Sequence, residues 1–312
     1  MSKMTSRIKI GVYEFCPCGS QKKVKFCCWN GSIVFKAPFK HNDYPISEFS
    51  HPRCYAKFMS DCSDKISREH YISEYLLNNL SNSKVVSMSG LNWHKSKGPI
   101  NIAKTALVTN VLCEKHNGML SPFDKAMGRL HQKIAQYDKG LIEDDFQNQF
   151  SLFSGEDIER WLLKTTCAYI ASDQIYVGAE KFHFDIDPIF LDILYKGRDF
   201  PEGWGLYCDS NAEKFLHHQY LQVNFGISGG ELRYVKFVLN GVTMYLLLSR
   251  PNSVANGMIH RPRGFEFRKG NNRKLIEFSW PNPQHNNGLF FNQNRVVSKT
   301  PAEWQEWVHD KK

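Results

Sequence analysis

The stretch VLCEKHNGMLSPFDKAMGRL, residues 111–130, joins two potential metal ligands to the start of an amphipathic helix. Cys113 and His116 have the Cys-x2-His spacing with which small zinc knuckles bind their metal. Ser121 is predicted to cap the helix that follows, with Pro122 as its first residue. Apolar residues then recur at intervals of four and three and predict one buried helical face: Phe123, Met127, Leu130, Ile134 and Tyr137.

Two further cysteines lie upstream in RCYAKFMSDCSDKISREHYISEYLL, residues 53–77. A structural zinc ion takes four ligands in a tetrahedron, and separated hairpins can each supply part of the set. Cys54 and Cys62 are therefore predicted to complete a zinc site with Cys113 and His116.

The N-terminal region contains CPCGSQKKVKFCC, residues 16–28, in which two pairs of cysteines flank a short basic loop. The preceding residues lack the apolar core of an export signal, so a cytoplasmic protein with reduced thiols is expected. Reduced cysteines at this spacing favour zinc binding over disulfides. The predicted ligands are Cys16, Cys18, Cys27 and Cys28.

These thirteen residues resemble the SEC-C motif, a small zinc-binding module. The likeness includes the initial Cys-Pro-Cys-Gly-Ser, the Lys22-Lys23 pair, and Phe26 ahead of the last two ligands. The resemblance implies zinc binding and a docking role towards a protein partner or RNA. The chain has no Gly-x4-Gly-Lys-Ser/Thr phosphate loop, so the ATPase activity of the translocases that carry this module is not implied.

The central segment resembles the HNH, or ββα-metal, nuclease family in its Glu-His pair and its Leu-Cys-x2-His-Asn-x2-Leu-Ser run. The resemblance implies that His70 is the general base, and that Glu69 and Asn117 hold one Mg²⁺ or Mn²⁺ for phosphodiester hydrolysis. Asp124 and His131 are alternative candidates for a further position in this centre. The long stretch between His70 and Asn117 predicts an insertion around SMSGLNWHKSKGP.

The distribution of charge favours an anionic partner. The 312 residues have a formal net charge of +9. Residues 1–40 carry eight Lys or Arg against one Glu, and residues 50–135 carry twelve against six acidic residues. Clustered basic charge is typical of proteins that bind DNA or RNA, although an excess of surface lysine also occurs in proteins without such a partner.

The C-terminal half has a strand-like pattern after one further helix. That helix is predicted to follow Ser154, with Cys167 as a buried thiol. Leu232–Leu239 and Val242–Leu248 flank Asn240-Gly241, which predicts a β-hairpin. Alternate polar residues in FHFDIDP fit either a metal site on one strand face or a solvent-exposed face: His183, Asp185 and Asp187.

Together these observations predict an α+β protein in three parts: a SEC-C zinc-binding module over residues 1–40, an HNH-like zinc and metal domain over residues 41–150, and a helix with a mostly antiparallel β domain over residues 151–312. The longest apolar run is far shorter than the ~20 residues of a membrane helix, so no membrane insertion is expected. The oligomeric state stays open.

Two functions fit this organisation. One is a zinc-containing nuclease, a hydrolase that uses a divalent metal and a histidine base. The other is a non-catalytic zinc scaffold that docks nucleic acid or a protein. A buried Glu69 would favour the scaffold, because a catalytic metal needs open coordination positions.

Overall fold

A computed structural model describes residues 9–42, 46–89, 100–142, 146–177, 179–210, 220–282 and 287–292. The fold is mixed α+β, as predicted. Four α-helices lie within these residues: α1 (Glu74–Leu80), α2 (Glu114–Ile142), α3 (Gly155–Ala171) and α4 (Pro188–Tyr195). No helix in the described part of the chain combines the length and the apolar character needed to cross a bilayer.

The larger sheet consists of seven strands: β2 (Val85–Ser89), β3 (Ile100–Ala103), β8 (Gly205–Asp209), β9 (Tyr220–Ser228), β10 (Glu231–Leu239), β11 (Val242–Leu247) and β12 (Met258–His260). Their order is β12-β8-β11-β10-β9-β2-β3, and only the β9–β2 pair is parallel. The predicted hairpin is confirmed, because β10 and β11 pair around Asn240 and Gly241. Both turn residues have the positive φ angles, +48° and +73°, that a two-residue type I′ turn requires.

The insertion predicted between His70 and Asn117 supplies two strands of this sheet. β2 pairs with β3 and also joins β9, with Ser87 opposite Tyr220. Residues 90–99 of the SMSGLNWHKSKGP stretch lie outside the described residues. The inserted strands connect the central segment directly to the C-terminal half of the chain.

A second sheet has four strands: β5 (Gln149–Ser154), β13 (Gly264–Lys269), β14 (Asn272–Ser279) and β15 (Leu289–Asn292). Their order is β15-β13-β14-β5, with an antiparallel central pair and parallel outer pairs. Two smaller ribbons are β1 (Glu69–His70) with β4 (Val108–Thr109), and β6 (Ile175–Val177) with β7 (Glu180–Phe182). The larger of two apolar clusters in the described residues extends from Cys54 to Phe291 and includes residues of all four helices.

The helix α3 lies at the centre of the molecule, and every residue from Gly155 to Ile170 is buried. The predicted cap is confirmed, because the Ser154 hydroxyl accepts a hydrogen bond from the Asp157 N–H. Cys167 is a buried thiol, and burial raises its pKa. Unpaired charge is costly to bury, so the ionisable residues of this helix require partners.

The predicted start of α2 is wrong. The helix begins at Glu114, where the Asn117 N–H donates to the Cys113 carbonyl, and Ser121 and Pro122 lie inside it. An interior proline costs a helix about 3 kcal/mol. Burial of the predicted apolar face offsets this cost, since each large side chain contributes roughly 1.5–3 kcal/mol. All five residues of that face are buried: Phe123, Met127, Leu130, Ile134 and Tyr137.

One buried charge on α3, that of Glu159, is paired with Arg261. Glu159 is fully buried, contacts the Arg261 guanidinium at 3.0 Å through both oxygens, and accepts from the Leu206 N–H at 2.8 Å. We expect Glu159→Ala to lower the free energy of unfolding by roughly 3–5 kcal/mol in chemical denaturation, because it leaves a partly buried guanidinium unpaired.

The matched control is Glu202→Ala, which removes an exposed ion pair with Arg250. Surface pairs contribute less than about 1 kcal/mol, so this variant should unfold at nearly the wild-type denaturant concentration. If both variants lost the same free energy of unfolding, the buried pair would stabilise the fold no more than the exposed pair, and the prediction would be wrong.

Candidate metal centres and a buried lysine cluster

The first candidate metal centre is formed by the N-terminal cysteines, including Cys16, and their four sulfur atoms lie within 4.8 Å of one another. The Sγ of Cys27 lies 3.4 Å from that of Cys18 and 3.8 Å from that of Cys28. Four thiolates bound to zinc at about 2.3 Å are separated by about 3.8 Å. The arrangement therefore has the dimensions of a Cys₄ zinc site.

The thiols of this centre differ in how readily they ionise. Hydrogen bonding with Cys28 is the main reason that the pKa of Cys18 is lowered to about 4, and Ser20 contributes in the same direction. Burial raises the pKa of Cys16 to about 11. Because a divalent cation favours thiolates, zinc binding here would release protons and weaken at low pH.

The centre packs against α2 and against β5, where the Leu152 N–H donates to the Pro17 carbonyl at 3.1 Å. Gly19 has a φ of +75°, and a Cβ at this position would lie 3.0 Å from the nearest guanidinium nitrogen of Arg129. Arg129 extends from α2, donates to the Leu152 carbonyl at 2.8 Å and stacks on the Phe153 ring at 4.2 Å. Four thiolates and one Zn²⁺ have a formal charge of −2. The adjacent guanidinium offsets part of that charge.

The second candidate centre brings together Cys54, Cys62, Cys113 and His116, and all four residues are buried. The Nδ1 atom of His116 lies 3.5, 3.7 and 3.2 Å from the three sulfur atoms in that order. A tetrahedral zinc with Zn–S of 2.3 Å and Zn–N of 2.05 Å separates sulfur from nitrogen by about 3.6 Å. The site therefore fits a Cys₃His zinc, with Nδ1 as the ligating nitrogen.

Asp61 orients the histidine of this centre. Its carboxylate lies 2.8 Å from His116 Nε2 and 2.9 Å from Lys115 Nζ. A carboxylate on the outer ring nitrogen leaves Nδ1 free for a metal and increases its basicity. Burial lowers the pKa of His116, although Asp61 opposes this shift, and the neutral ring is the form that binds zinc.

The residues predicted to form a nuclease centre lie where β1, β4 and α2 meet. Glu69 and His70 of β1 pair with Thr109 and Val108 of β4, and Asn117 lies in the first turn of α2. The ribbon of β1 and β4 precedes α2 in the chain, with α1, β2 and β3 inserted between its two strands. A ribbon followed by a helix also occurs outside nucleases, so it does not define a function by itself.

Lys164, which no sequence motif indicated as part of a site, lies at this junction. The Nζ atom of Lys164, on α3, is 2.6 Å from Glu69 Oε1 and 2.5 Å from Asp124 Oδ2. Lys164 is 1% exposed and Glu69 is 4% exposed, and the nearby Asn117 side chain opposes the rise in the Glu69 pKa that burial causes. Burial lowers the pKa of Lys164, but Asp124 and Glu69 outweigh this effect and raise it, so the ammonium is charged at neutral pH.

The remaining predicted residues are distributed around this cluster. His70 is half-buried, and burial lowers its pKa, which keeps the ring neutral at neutral pH. Of the two alternative candidates, Asp124 joins the cluster, whereas His131 is buried two turns further along α2. The catalytic roles assigned to Glu69, His70 and Asn117 stay predictions.

The FHFDIDP residues have other partners. His183 Nδ1 pairs with Asp173 at 2.5 Å, and Asp187 caps α4 by accepting from the Ile189 N–H at 2.9 Å. All three predicted polar residues of the stretch are exposed. Within the described residues, groups of ligand atoms close enough to hold a metal occur at the two cysteine-rich centres and not at this stretch.

The sequence contains a weak signal that Lys164 is buried with a charged partner. Apolar residues lie on every side of α3, among them Leu163, Cys167 and Ile170. Such a helix is expected to be buried all round, so Lys164 within it required a partner. The identity of the partners, Glu69 and Asp124, depends on tertiary contacts that no local pattern reveals.

Comparison with known proteins gives no match to this chain among family models, curated proteins or solved structures. The resemblances to the SEC-C motif and to HNH nucleases therefore rest on the short motifs alone. What the structure establishes is narrower: two Cys/His groups that can each hold a zinc ion.

We expect Asp61→Asn to weaken zinc binding at the second centre by roughly 10- to 100-fold, because a neutral amide polarises His116 less than a carboxylate. Competition with a chromophoric zinc chelator measures this change against the wild type. Asp64→Asn, which alters an exposed carboxylate two residues beyond Cys62, is the matched control. Unchanged affinity in Asp61→Asn, or an equal loss in the control, would contradict the orienting role.

Proposed function

We propose that this chain is a non-catalytic docking scaffold for nucleic acid, built around two zinc ions. The proposal rests on the position of Lys164, whose ammonium lies between Glu69 and Asp124. The resemblance to HNH nucleases would put a divalent metal at this junction. Here the cation that contacts both carboxylates belongs to the protein itself.

The contacts around Lys164 support this interpretation. Mg²⁺ and Mn²⁺ prefer oxygen ligands such as those of Glu69, Asn117 and Asp124. A charged lysine contacts two of these side chains at 2.6 Å or less, so a metal could bind only if the ammonium moved away. The Lys164 side chain is 2% exposed, so the ammonium is held inside the protein, whereas the Asp124 side chain is 19% exposed.

Burial of the cluster also argues against hydrolysis. A catalytic metal keeps open positions for water and for a phosphate oxygen. Glu69, which would be its acidic ligand, is 4% exposed. Burial also raises the pKa of Glu69, and Lys164 opposes that rise. A buried centre whose cation is a lysine of the protein supports the scaffold over the nuclease.

Charge supports nucleic acid as the partner of the scaffold. Zinc with four thiolates lowers the formal charge of residues 1–40 from +7 to +5. Zinc with three thiolates and a neutral histidine lowers that of residues 50–135 from +6 to +5. Both regions stay basic, as phosphate contacts require. A protein partner docked on the N-terminal module is the alternative that the SEC-C resemblance implies.

A metal-dependent nuclease is the second candidate function, because Glu69, Asn117 and Asp124 converge beside His70. In this function neutral His70 takes a proton from the attacking water. Glu69 and Asn117 would hold Mg²⁺ or Mn²⁺, which polarises the phosphodiester when bound. Lys164 would have to leave the position between the two carboxylates.

Replacing Lys164 tests the proposal directly. Lys164→Met keeps much of the side-chain volume but leaves Glu69 and Asp124 facing each other, so it should destabilise the zinc-loaded protein by roughly 3–5 kcal/mol. Millimolar Mn²⁺ or Mg²⁺ should then raise the melting temperature of the variant and leave that of the wild type unchanged.

A double variant provides the control. Glu69→Gln combined with Lys164→Met removes the repulsion between the carboxylates, so it should recover part of the lost stability and respond less to Mn²⁺. A melting temperature that rises with Mn²⁺ in the zinc-loaded wild type would contradict the scaffold.

A cleavage assay decides between the two functions. The scaffold predicts that the wild type leaves labelled DNA and RNA intact in Mg²⁺ and in Mn²⁺. Cleavage that His70→Ala reduces by about 10²–10⁴-fold, with zinc content and nucleic-acid affinity retained, would support the nuclease instead.

A further inference from the structure

Three aromatic side chains are exposed on the N-terminal zinc module. Tyr13 is 62% exposed, Phe15 is 75% exposed and Phe26 is 68% exposed. Single exposed aromatic residues are ordinary, but a group of them on one small module indicates an interaction surface.

Lysines lie between these rings. The Nζ atom of Lys25 is 5.3 Å from the centre of the Tyr13 ring and 6.0 Å from that of Phe26. Lys23 is 5.9 Å from the Tyr13 ring and pairs across an antiparallel bridge with Phe15. We call these five residues, Tyr13, Phe15, Lys23, Lys25 and Phe26, the aromatic face.

The zinc-binding turn holds the aromatic face in place. The Val24 N–H donates to the Glu14 carbonyl at 2.9 Å, and the Lys25 N–H donates to the Val12 carbonyl at 2.8 Å. Val24 itself is completely buried, and its carbonyl accepts from the N–H groups of Cys27 and Cys28. The rings are therefore presented outward by backbone that is fixed next to the metal ligands.

We propose that the aromatic face binds single-stranded nucleic acid. Exposed rings stack on unpaired bases and lysines contact the phosphates, which is how proteins bind single strands with little sequence preference. A duplex already stacks its bases on one another, so it can engage the lysines but not the rings. An acidic peptide without aromatic residues can pair with the lysines but has no ring to stack on the three exposed rings. This inference rests on the proposed function as a nucleic-acid scaffold.

Fluorescence anisotropy with the full-length, zinc-loaded protein tests it. The probes are labelled (dT)15, (rU)15, a 15-base-pair DNA duplex and a poly-glutamate peptide. We expect both single strands to bind more tightly than the duplex and the peptide. Phe15→Ala and Phe26→Ala should each weaken single-strand binding by about 5- to 100-fold, with a smaller effect on the duplex.

Phe58→Ala is the matched control, because Phe58 is 76% exposed and lies 5.4 Å from Lys57 Nζ but belongs to another part of the chain. It should leave the single-strand affinity within about twofold of the wild type. The double variant Lys23→Gln with Lys25→Gln should reduce the log–log salt slope by about 1.4, corresponding to two phosphate contacts on a single strand. Zinc content is measured for every variant, so that a loss of affinity reports on the surface and not on folding.

The outcomes separate this inference from the proposed function. If the wild type binds nucleic acid but Phe15→Ala and Phe26→Ala bind as tightly, the aromatic face is not the binding surface. The same conclusion follows if Phe58→Ala loses as much affinity. In both cases the inference is wrong and the proposed scaffold function is unaffected. If the wild type binds none of the nucleic acids, both proposals fail. Preferential binding of poly-glutamate would make the face a protein-docking surface and overturn the inference.

Discussion

The buried ion pairs of Lys164 connect three elements that meet near the centre of the protein. Glu69 lies on β1, Asp124 on α2 and Lys164 on α3, and one ammonium contacts both carboxylates. Any change that moves one element leaves a charge unpaired in a largely buried region, which is costly. This constraint fixes β1 against two helices, although β1 is only two residues long.

The helix α2, which carries Asp124, also contributes a side chain next to each candidate zinc centre. His116 in its first turn faces three thiols, and Arg129 lies against the N-terminal cysteines. Thirteen residues of α-helix span about 20 Å, so the two centres lie along one rigid element. Asp124 lies between these two positions on α2. One helix therefore carries Asp124 of the Lys164 cluster and a contact to each candidate zinc centre.

Features that depend on short spacing could be predicted from the sequence. The Asn240-Gly241 hairpin, the Ser154 cap and the apolar face of α2 all follow from local patterns, and the structure confirms them. The eight residues predicted to bind zinc also assemble into two groups that can each hold a metal. Reduced cysteines at such spacing are more often zinc ligands than partners in a disulfide.

Features that depend on tertiary contacts could not be predicted. Ser121 and Pro122 form a strong local start signal, yet α2 begins earlier because burial outweighs the cost of an interior proline. Lys164 lies 95 residues from Glu69 and 40 from Asp124, so no periodicity links them. Likewise, no pattern in β2 and β3 indicated that they would join a sheet formed by residues more than 100 positions later.

A lysine of the protein takes the cation position between Glu69 and Asp124. Anomalous X-ray diffraction from crystals grown in Mn²⁺, collected at the zinc and manganese edges, can test this position. We expect zinc peaks at both cysteine-rich centres and no manganese peak between the two carboxylates, with Lys164 Nζ hydrogen-bonded to both. A manganese peak at that position, with the Lys164 side chain displaced, would contradict it.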